Sequence, residues 1–229
     1  RNVPSVNAVW GNHTAILAGD FLLARASEIA ASLGTEIAGL LARTIGELCE
    51  GQILELQSTY KPSRTQESYE QSIAGKTASL LSTACRIGGL TGGLERHTVD
   101  QLTTFGHTYG MAFQIVDDIL DVIASEDQLG KPAGNDLIEG VYTLPVLLAL
   151  ESDVGEQLHE LLGKELSTDE RDRALSLIRS TGAVEEAFTR AQFWAQKAKL
   201  ELESLPSSPA TNALSAATNH LLDRAQSAS

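Results

Sequence analysis

The sequence predicts an all-α protein that forms one large helical bundle. Apolar residues recur every three or four positions through most of the chain, and no strand-like alternation competes with this period. With 42% hydrophobic and 21% charged residues, the 229-residue chain has enough apolar material for a sizeable core. No repeat, low-complexity tract or change in composition marks a domain boundary. We therefore expect a single domain over residues 1–229.

The first four helices are predicted from their apolar stripes and from the residues between them. Thr35 is expected to cap the second helix, and Pro62 lies in the loop that follows that helix. The glycines of "GGLTGG", residues 88–93, suit the end of the third helix and a turn. The four helices are expected at about 6–33, 35–57, 66–87 and 98–124.

Residues 125–143, "SEDQLGKPAGNDLIEGVYT", are predicted to form a long polar loop after the fourth helix. A loop of this length inside a helical domain is usually functional. Pro206 and Pro209 are expected to separate the last two helices. The helices after the loop are expected at about 144–151, 155–162, 168–180, 184–205 and 208–225.

The acidic composition narrows the classes of partner and compartment. A formal net charge of −13 and a pI near 4.7 argue against nucleic acid, since binding a polyphosphate needs clustered Lys and Arg. No apolar run of about 20 residues could span a bilayer. Cys49 and Cys85 have neither metal-binding nor disulfide spacing, so we expect buried free thiols. These features predict a cytoplasmic protein.

Three carboxylates lie within the apolar stretch "FQIVDDILDV" at residues 113–122. On a helix Asp117 and Asp121 share a face, where two like charges cost roughly 0.2–0.5 kcal/mol, and Asp118 is turned away by about 100°. A single acid in such a place usually faces solvent or pairs with a distant arginine. Three acids in five positions of an apolar helix favour a metal site instead. Oxygen ligands without His or Cys suit Mg²⁺.

Two lysines extend this interpretation toward a diphosphate ligand. Mg²⁺ in proteins is commonly completed by substrate phosphates. Lys131, in "LGKPAGND", lies on the long loop, and Lys76, in "SIAGKTASLL", is followed by the hydroxyl of Thr77. Each lysine alone would be interpreted as a surface side chain. Together with the aspartates they predict a site that neutralises a phosphate-bearing ligand.

At this point the sequence resembles the trans-type isoprenyl diphosphate synthases, or polyprenyl synthetases. The segments "GNHTAILAGDFLLARA", "GKTASLL", "FQIVDDILD" and "GKPAGNDLIEGVYTLP" are similar to four spaced motifs of that family and occur in the same order. The resemblance covers essentially the whole chain. It implies the isoprenoid synthase type of all-α fold.

The resemblance also implies a reaction and the residues that carry it. An allylic diphosphate ionises with the help of Mg²⁺ to diphosphate and an allylic cation, the cation alkylates isopentenyl diphosphate head-to-tail, and a proton is then lost. The product is a geranylgeranyl or longer polyprenyl diphosphate. Lys76, Thr77, Gln114, Asp117 and Lys131 would act in catalysis. In the family pattern Asp117, Asp118 and Asp121 would bind the metal. Lys76 and Lys131 would neutralise the diphosphate, and Thr77 and Gln114 would make polar contacts with it. Phe113 would lie beside isopentenyl diphosphate.

The sequence departs from the family pattern in two places. The family's first aspartate-rich motif is not found before Val3, so we expect that N-terminal helices are missing and that the chain as numbered is inactive. Val141 stands where many members have a lysine. Three interpretations stay open: part of a complete enzyme, a non-catalytic or regulatory subunit of a heteromeric synthase, and an inert scaffold. The retained aspartates and lysines argue against the scaffold.

The family pattern further implies partners. A homodimer is expected, with apolar helices from the first 57 residues as candidate surfaces, and the product is expected to pass to a membrane enzyme. Phe21 is expected in the core rather than in a product tunnel. A terpene cyclase would share the fold class and Mg²⁺, but "GKT" and "GKPAGND" favour chain extension.

Overall fold

In the computed structural model, which describes residues 3–124 and 133–228, every regular element is helical. This confirms the predicted all-α class. Most helices begin and end within three residues of the predicted positions. The helices are α1 Val6–Ser32, α2 Thr35–Gln57, α3 Gln66–Ile73, α4 Ser79–Thr91, α5 Arg96–Ile123, α6 Asn135–Ile138, α7 Leu144–Leu150, α8 Gly155–Leu161, α9 Thr168–Arg179, α10 Ala183–Glu203 and α11 Pro209–Ala228.

Two predicted features of the first four helices are wrong. A π-helical turn at Ala74–Ala78 divides the third helix, which then continues through the glycines to Thr91. Thr35 is the first residue of α2 rather than its cap, and Gly34 takes the capping position without a side-chain hydrogen bond. Gly34 has φ of 112°, which glycine adopts without the strain of a Cβ atom.

The predicted loop at residues 125–143 contains a short helix. After Gly134, whose φ is 71°, α6 forms a single turn at Asn135–Ile138. The backbone amide of Gly134 donates to the Asp121 carbonyl at 2.8 Å. The segment after residue 132 is therefore fixed against the end of α5, which brings its acidic residues toward the aspartates.

Helix α5 lies at the centre of the main core, in contact with α4, α10 and α11. A Cβ atom on Gly110 would lie 2.6 Å from the Ala78 Cα, so the backbones of α5 and the preceding helical segment are in direct contact. On α10, small residues at helical spacing are fully buried: Ala187, Ala191, Ala195 and Ala198. Small side chains on these neighbours allow close packing around α5. That the chain forms one domain stays a prediction.

Helix α1 has the opposite environment. Its apolar stripe is exposed, with Leu17 at 68% and Phe21 at 64% of full exposure, and Ala30 alone of its residues is buried. The expectation that Phe21 lies in the core is therefore wrong, because the main contact of α1 among the described helices is α2. Neither α1 nor any other described helix is apolar enough over a sufficient length to cross a membrane.

The cysteines are both free, as expected, but they are less buried than expected. Cys49 is exposed on α2, and Cys85 is half-buried on α4. The prediction of two buried thiols is therefore wrong, and Cys49 is exposed because α2, like α1, has an uncovered side in this structure.

Candidate active site

A polar cavity of about 240 Å³ lies between the C-terminal end of α2, the segment around α3 and its π-helical turn, the C-terminal half of α5 and the segment after α6. Five carboxylates and two cations are among the side chains that surround it. The cavity is lined by Glu55, Arg64, Tyr69, Ile73, Lys76, Gln114, Asp117, Asp118, Asp136, Glu139, Val141 and Thr143.

The three aspartates of α5 have different surroundings. Asp117 is half-buried and lines the cavity. Asp118 is only 4% exposed, and its carboxylate accepts hydrogen bonds from the Tyr69 hydroxyl and, at 2.9 Å, from the Gln114 amide nitrogen. Asp121 is buried and accepts from the Asp136 backbone amide at 3.1 Å. The helical rotation between neighbouring residues explains this dispersal.

Burial changes the acid–base properties of the Asp118–Tyr69 pair. The pKa of Asp118 is raised well above 3.8, first by burial and then by the nearby charge of Asp136, while hydrogen bonds from Tyr69 and Gln114 oppose the rise. Burial, followed by the charge of Asp118, raises the pKa of Tyr69 as well. The Tyr69 hydroxyl therefore keeps its proton and donates a hydrogen bond to the Asp118 carboxylate. A cation placed in the cavity would favour the ionised form of Asp118.

The π-helical turn presents Lys76 to this cavity and places Thr77 in contact with the lining residue Gln114. The Lys76 ammonium lies 2.6 Å from a Glu55 carboxylate oxygen, and the Thr77 hydroxyl donates to the Gln114 side-chain oxygen at 2.7 Å. A Cβ atom on Gly51 would lie 2.4 Å from the Lys76 backbone nitrogen, so α2 crosses directly against the turn. Such π-helical turns are frequent at functional sites. Here the turn connects Lys76, through Thr77, to the polar side chains of α5.

The polyprenyl synthetase family profile matches residues 1–178. The chain belongs to the polyprenyl synthetase family. This membership confirms the family resemblance found in the sequence, and the length of the match includes every helix that contributes to the cavity.

The chain covers about two thirds of the length of individual polyprenyl synthetases. The chain is 39% identical to heptaprenyl diphosphate synthase component 2 of Geobacillus stearothermophilus, a match that covers 93% of the chain and 67% of that protein. It is also 39% identical to nonaprenyl diphosphate synthase of Mycobacterium tuberculosis, with 98% and 68% covered. A crystal structure of polyprenyl synthase from Caulobacter crescentus CB15, complexed with calcium and isoprenyl diphosphate, superposes with a TM-score of 0.87 at 32% identity, over 96% of this chain and 67% of that one.

The structure brings most of the expected polyprenyl synthetase site residues together. Four of them line the cavity and two more contact the lining: Lys76, Gln114, Asp117 and Asp118 in the first group, Thr77 and Asp121 in the second. Phe113 is half-buried against the main core, with its ring 6.4 Å from that of Tyr109, and is not among the lining residues. Lys131 lies outside the described residues. Val141 lines the cavity.

Sequence reasoning missed several side chains of the cavity. Tyr69 could have been found, because Tyr69, Ile73 and Lys76 follow the i, i+4, i+7 spacing of one helical face. Arg64 could not, since it lies in the polar loop "KPSR" and nothing in that stretch indicates burial. The remaining acids on the cavity wall were also missed: Glu55, Asp136 and Glu139.

The donor atoms at the cavity fit a hard cation. Within residues 3–124 and 133–228, no group of three or more His, Cys, Asp or Glu side chains is arranged to hold a metal ion. Such a cage is not required for Mg²⁺, because this cation is commonly bound by one or two carboxylates, water and substrate phosphates. Asp117 and Asp118 are the α5 carboxylates that line the cavity, and Asp117 is the less buried of the two. The set of three metal-binding aspartates stays a prediction.

Proposed function

We propose that the protein is a trans-polyprenyl diphosphate synthase, which joins isopentenyl diphosphate head-to-tail to an allylic diphosphate. The observation that carries the proposal is the meeting of Lys76, Gln114 and Asp117 at one cavity in a polyprenyl synthetase fold. The named heptaprenyl and nonaprenyl synthases among its relatives support a product of geranylgeranyl length or longer.

The proposed reaction begins with cleavage of the allylic carbon–oxygen bond, which builds negative charge on the leaving diphosphate. Mg²⁺ held by Asp117, with Asp118 and Asp121 as further predicted ligands, would neutralise part of this charge. The Lys76 ammonium supplies a second positive charge. Because Lys76 is paired with Glu55, the diphosphate must compete with that carboxylate for it. Exchange of one anionic partner for another keeps the ammonium from being left unpaired.

Gln114 has an orienting role in this proposal. Its side-chain oxygen accepts from Thr77 and its nitrogen donates to Asp118, so the amide joins the π-helical turn to α5. This chain of hydrogen bonds holds the cationic wall and the acidic wall of the cavity at a fixed distance. Pre-organised polar groups of this kind contribute to transition-state stabilisation because they need not reorganise during the reaction.

The activity test uses the full-length protein with farnesyl diphosphate and radiolabelled isopentenyl diphosphate. We expect a longer radiolabelled product with Mg²⁺ and none in EDTA. Asp117→Asn should lower kcat by about 10²–10³-fold, the loss typical of removing a group that stabilises transition-state charge. Asp100→Asn is the matched control, because Asp100 is an exposed acid on the same helix that pairs with Arg86. Equal product formation in EDTA would contradict the metal assignment.

We propose a homodimer formed through the exposed apolar stripe of α1. The uncovered side chains of Leu17 and Phe21 support a protein partner for this helix. Light scattering of the full-length protein should give twice the chain mass, and Leu17→Lys should shift it toward the monomer. Leu80→Lys, at an exposed leucine of α4, should leave the mass unchanged. A monomeric wild type would contradict the proposal.

A heteromeric synthase is the second candidate. The relative from Geobacillus is named as component 2 of a heptaprenyl diphosphate synthase, which favours a second, different subunit. The two candidates differ in one measurement. A heteromeric component alone should be inactive and should gain activity only with its partner, whereas the proposed homodimer should form product by itself.

A further inference from the structure

Arg64 is a buried cation beside the candidate active site. It is 8% exposed, follows the turn that leads into α3, and lines the same cavity as Lys76 and Asp117. Arginine is almost never buried unless its guanidinium has partners, since removing the charge from water is unfavourable. The burial of Arg64 must therefore be offset by interactions of its guanidinium inside the protein.

The Arg64 guanidinium connects α3, which follows it in sequence, to the distant segment around Tyr142. One terminal nitrogen donates to the Tyr142 carbonyl at 3.1 Å, and the other donates to the Ser72 hydroxyl at 2.8 Å. The plane lies over the Tyr69 ring, with 5.5 Å between the guanidinium carbon and the ring centroid. Nε has no hydrogen-bond partner among the described residues. A planar group with several fixed donors can make these contacts together.

The contact with Tyr69 places Arg64 one side chain away from Asp118. Tyr69 is 1% exposed, so its ring has little freedom, and its hydroxyl donates to the Asp118 carboxylate. Burial lowers the pKa of Arg64, while the charges of Glu55 and Asp118 oppose this change. The guanidinium is therefore electrostatically coupled to the acids of the cavity as well as packed against the tyrosine.

We propose that Arg64 is a positioning residue for prenyl transfer: it fixes the Tyr69 ring so that the Tyr69 hydroxyl orients the Asp118 carboxylate, and it ties this pair to the Tyr142 backbone next to Val141. The inference rests on the proposed function, because it concerns the same cavity. Arg64 acts on the reaction through Tyr69 and Asp118. Lysine cannot replace it, because a single ammonium lacks the planar fork that contacts Ser72 and Tyr142 while covering the ring.

The test is a double-mutant cycle in the full-length enzyme. Arg64→Met and Tyr69→Phe are measured singly and together for kcat, for KM of isopentenyl diphosphate, and for binding of Mg²⁺ with inorganic diphosphate by calorimetry. Each single change should lower kcat or diphosphate affinity by about 10–100-fold, the typical effect of removing a group that orients a metal ligand. In the Tyr69→Phe background, Arg64→Met should cause less than about a threefold further loss, since coupled residues are non-additive.

Arg190→Met is the matched control. Arg190 pairs with Glu70, the neighbour of Tyr69 in sequence, but it is more exposed and does not line the cavity. Its loss should change kcat by less than about twofold, as expected for a partly exposed ion pair. An effect as large as that of Arg64→Met would overturn the inference.

The outcomes separate this inference from the proposed function. Wild-type protein that forms no product with Mg²⁺ defeats the proposed function. An active wild type whose kcat is unchanged in Arg64→Met, or single effects that multiply in the double variant, overturns the role of Arg64 alone. If circular dichroism shows that the Arg64→Met variant does not fold, the experiment uses the Arg64→Lys variant in its place. Loss of kcat by about tenfold or more in that folded variant supports positioning, and wild-type kcat overturns it.

Discussion

Helices α1 and α5 are nearly equal in length, at 27 and 28 residues, but their environments differ. Helix α5 buries residues around most of its circumference, including Asp118 and Asp121, whereas Ala30 is the buried residue of α1. Apolar side chains recur at helical spacing in both. The two helices show that this spacing predicts a helix but does not indicate whether other helices of the chain cover its apolar face. The burial of α5 also explains why Asp118 and Asp121 of α5 are confined to interactions inside the protein.

The largest contrast is expected at two phenylalanines. Phe105 of α5 is 1% exposed, and Phe105→Ala should lower the free energy of unfolding by about 3–5 kcal/mol. Phe21 of α1 is exposed, so Phe21→Ala should change the stability of the monomer by less than about 0.5 kcal/mol. Urea unfolding followed by circular dichroism at low protein concentration measures both. Equal losses at the two positions would show that α1 is packed as closely as α5.

Two glycines sharpen the comparison at the level of the backbone. A Cβ atom on Gly110 would meet the backbone of Ala78, so Gly110→Ala should destabilise the fold by about 1–3 kcal/mol. Gly19 of α1 has nothing within 4 Å of that position, and Gly19→Ala should stabilise the helix by about 0.5–1 kcal/mol. Thermal melting should therefore shift in opposite directions. A higher melting temperature for Gly110→Ala would contradict the close crossing of α5 with the π-helical turn that contains Ala78.

The smallest effect concerns pH. Because the pKa of Asp118 is raised in the folded protein, the folded state keeps a proton that the unfolded chain releases above pH 3.8. The associated stability is present below that pH and is lost as pH rises through the folded pKa. As pH rises through this window, the free energy of unfolding of the wild type should fall relative to that of Asp118→Asn by at most about 1.4 kcal/mol per pH unit, measured in EDTA. A difference between wild type and Asp118→Asn that does not change with pH would contradict the burial of Asp118.

The sequence was sufficient for the helices and for part of the site. The period of apolar residues predicted nearly all helix bounds, and the acids of "FQIVDDILDV" stood out because such residues are rare in apolar helices. The π-helical turn at Ala74–Ala78 was not predictable, since it depends on the close crossing of Gly51 and Gly75. Arg64 was missed for a similar reason. Its burial is created by Ser72 and Tyr142, which tertiary structure brings to it.

A crystal structure of the full-length protein with Mg²⁺ and inorganic diphosphate tests most directly whether the acids of α5 serve a metal–diphosphate site. We expect the diphosphate beside the Lys76 ammonium, and Mg²⁺ about 2.0–2.1 Å from an Asp117 carboxylate oxygen. Diphosphate bound away from the cavity between α2, α3 and α5, or Mg²⁺ bound there without Asp117, would contradict the account.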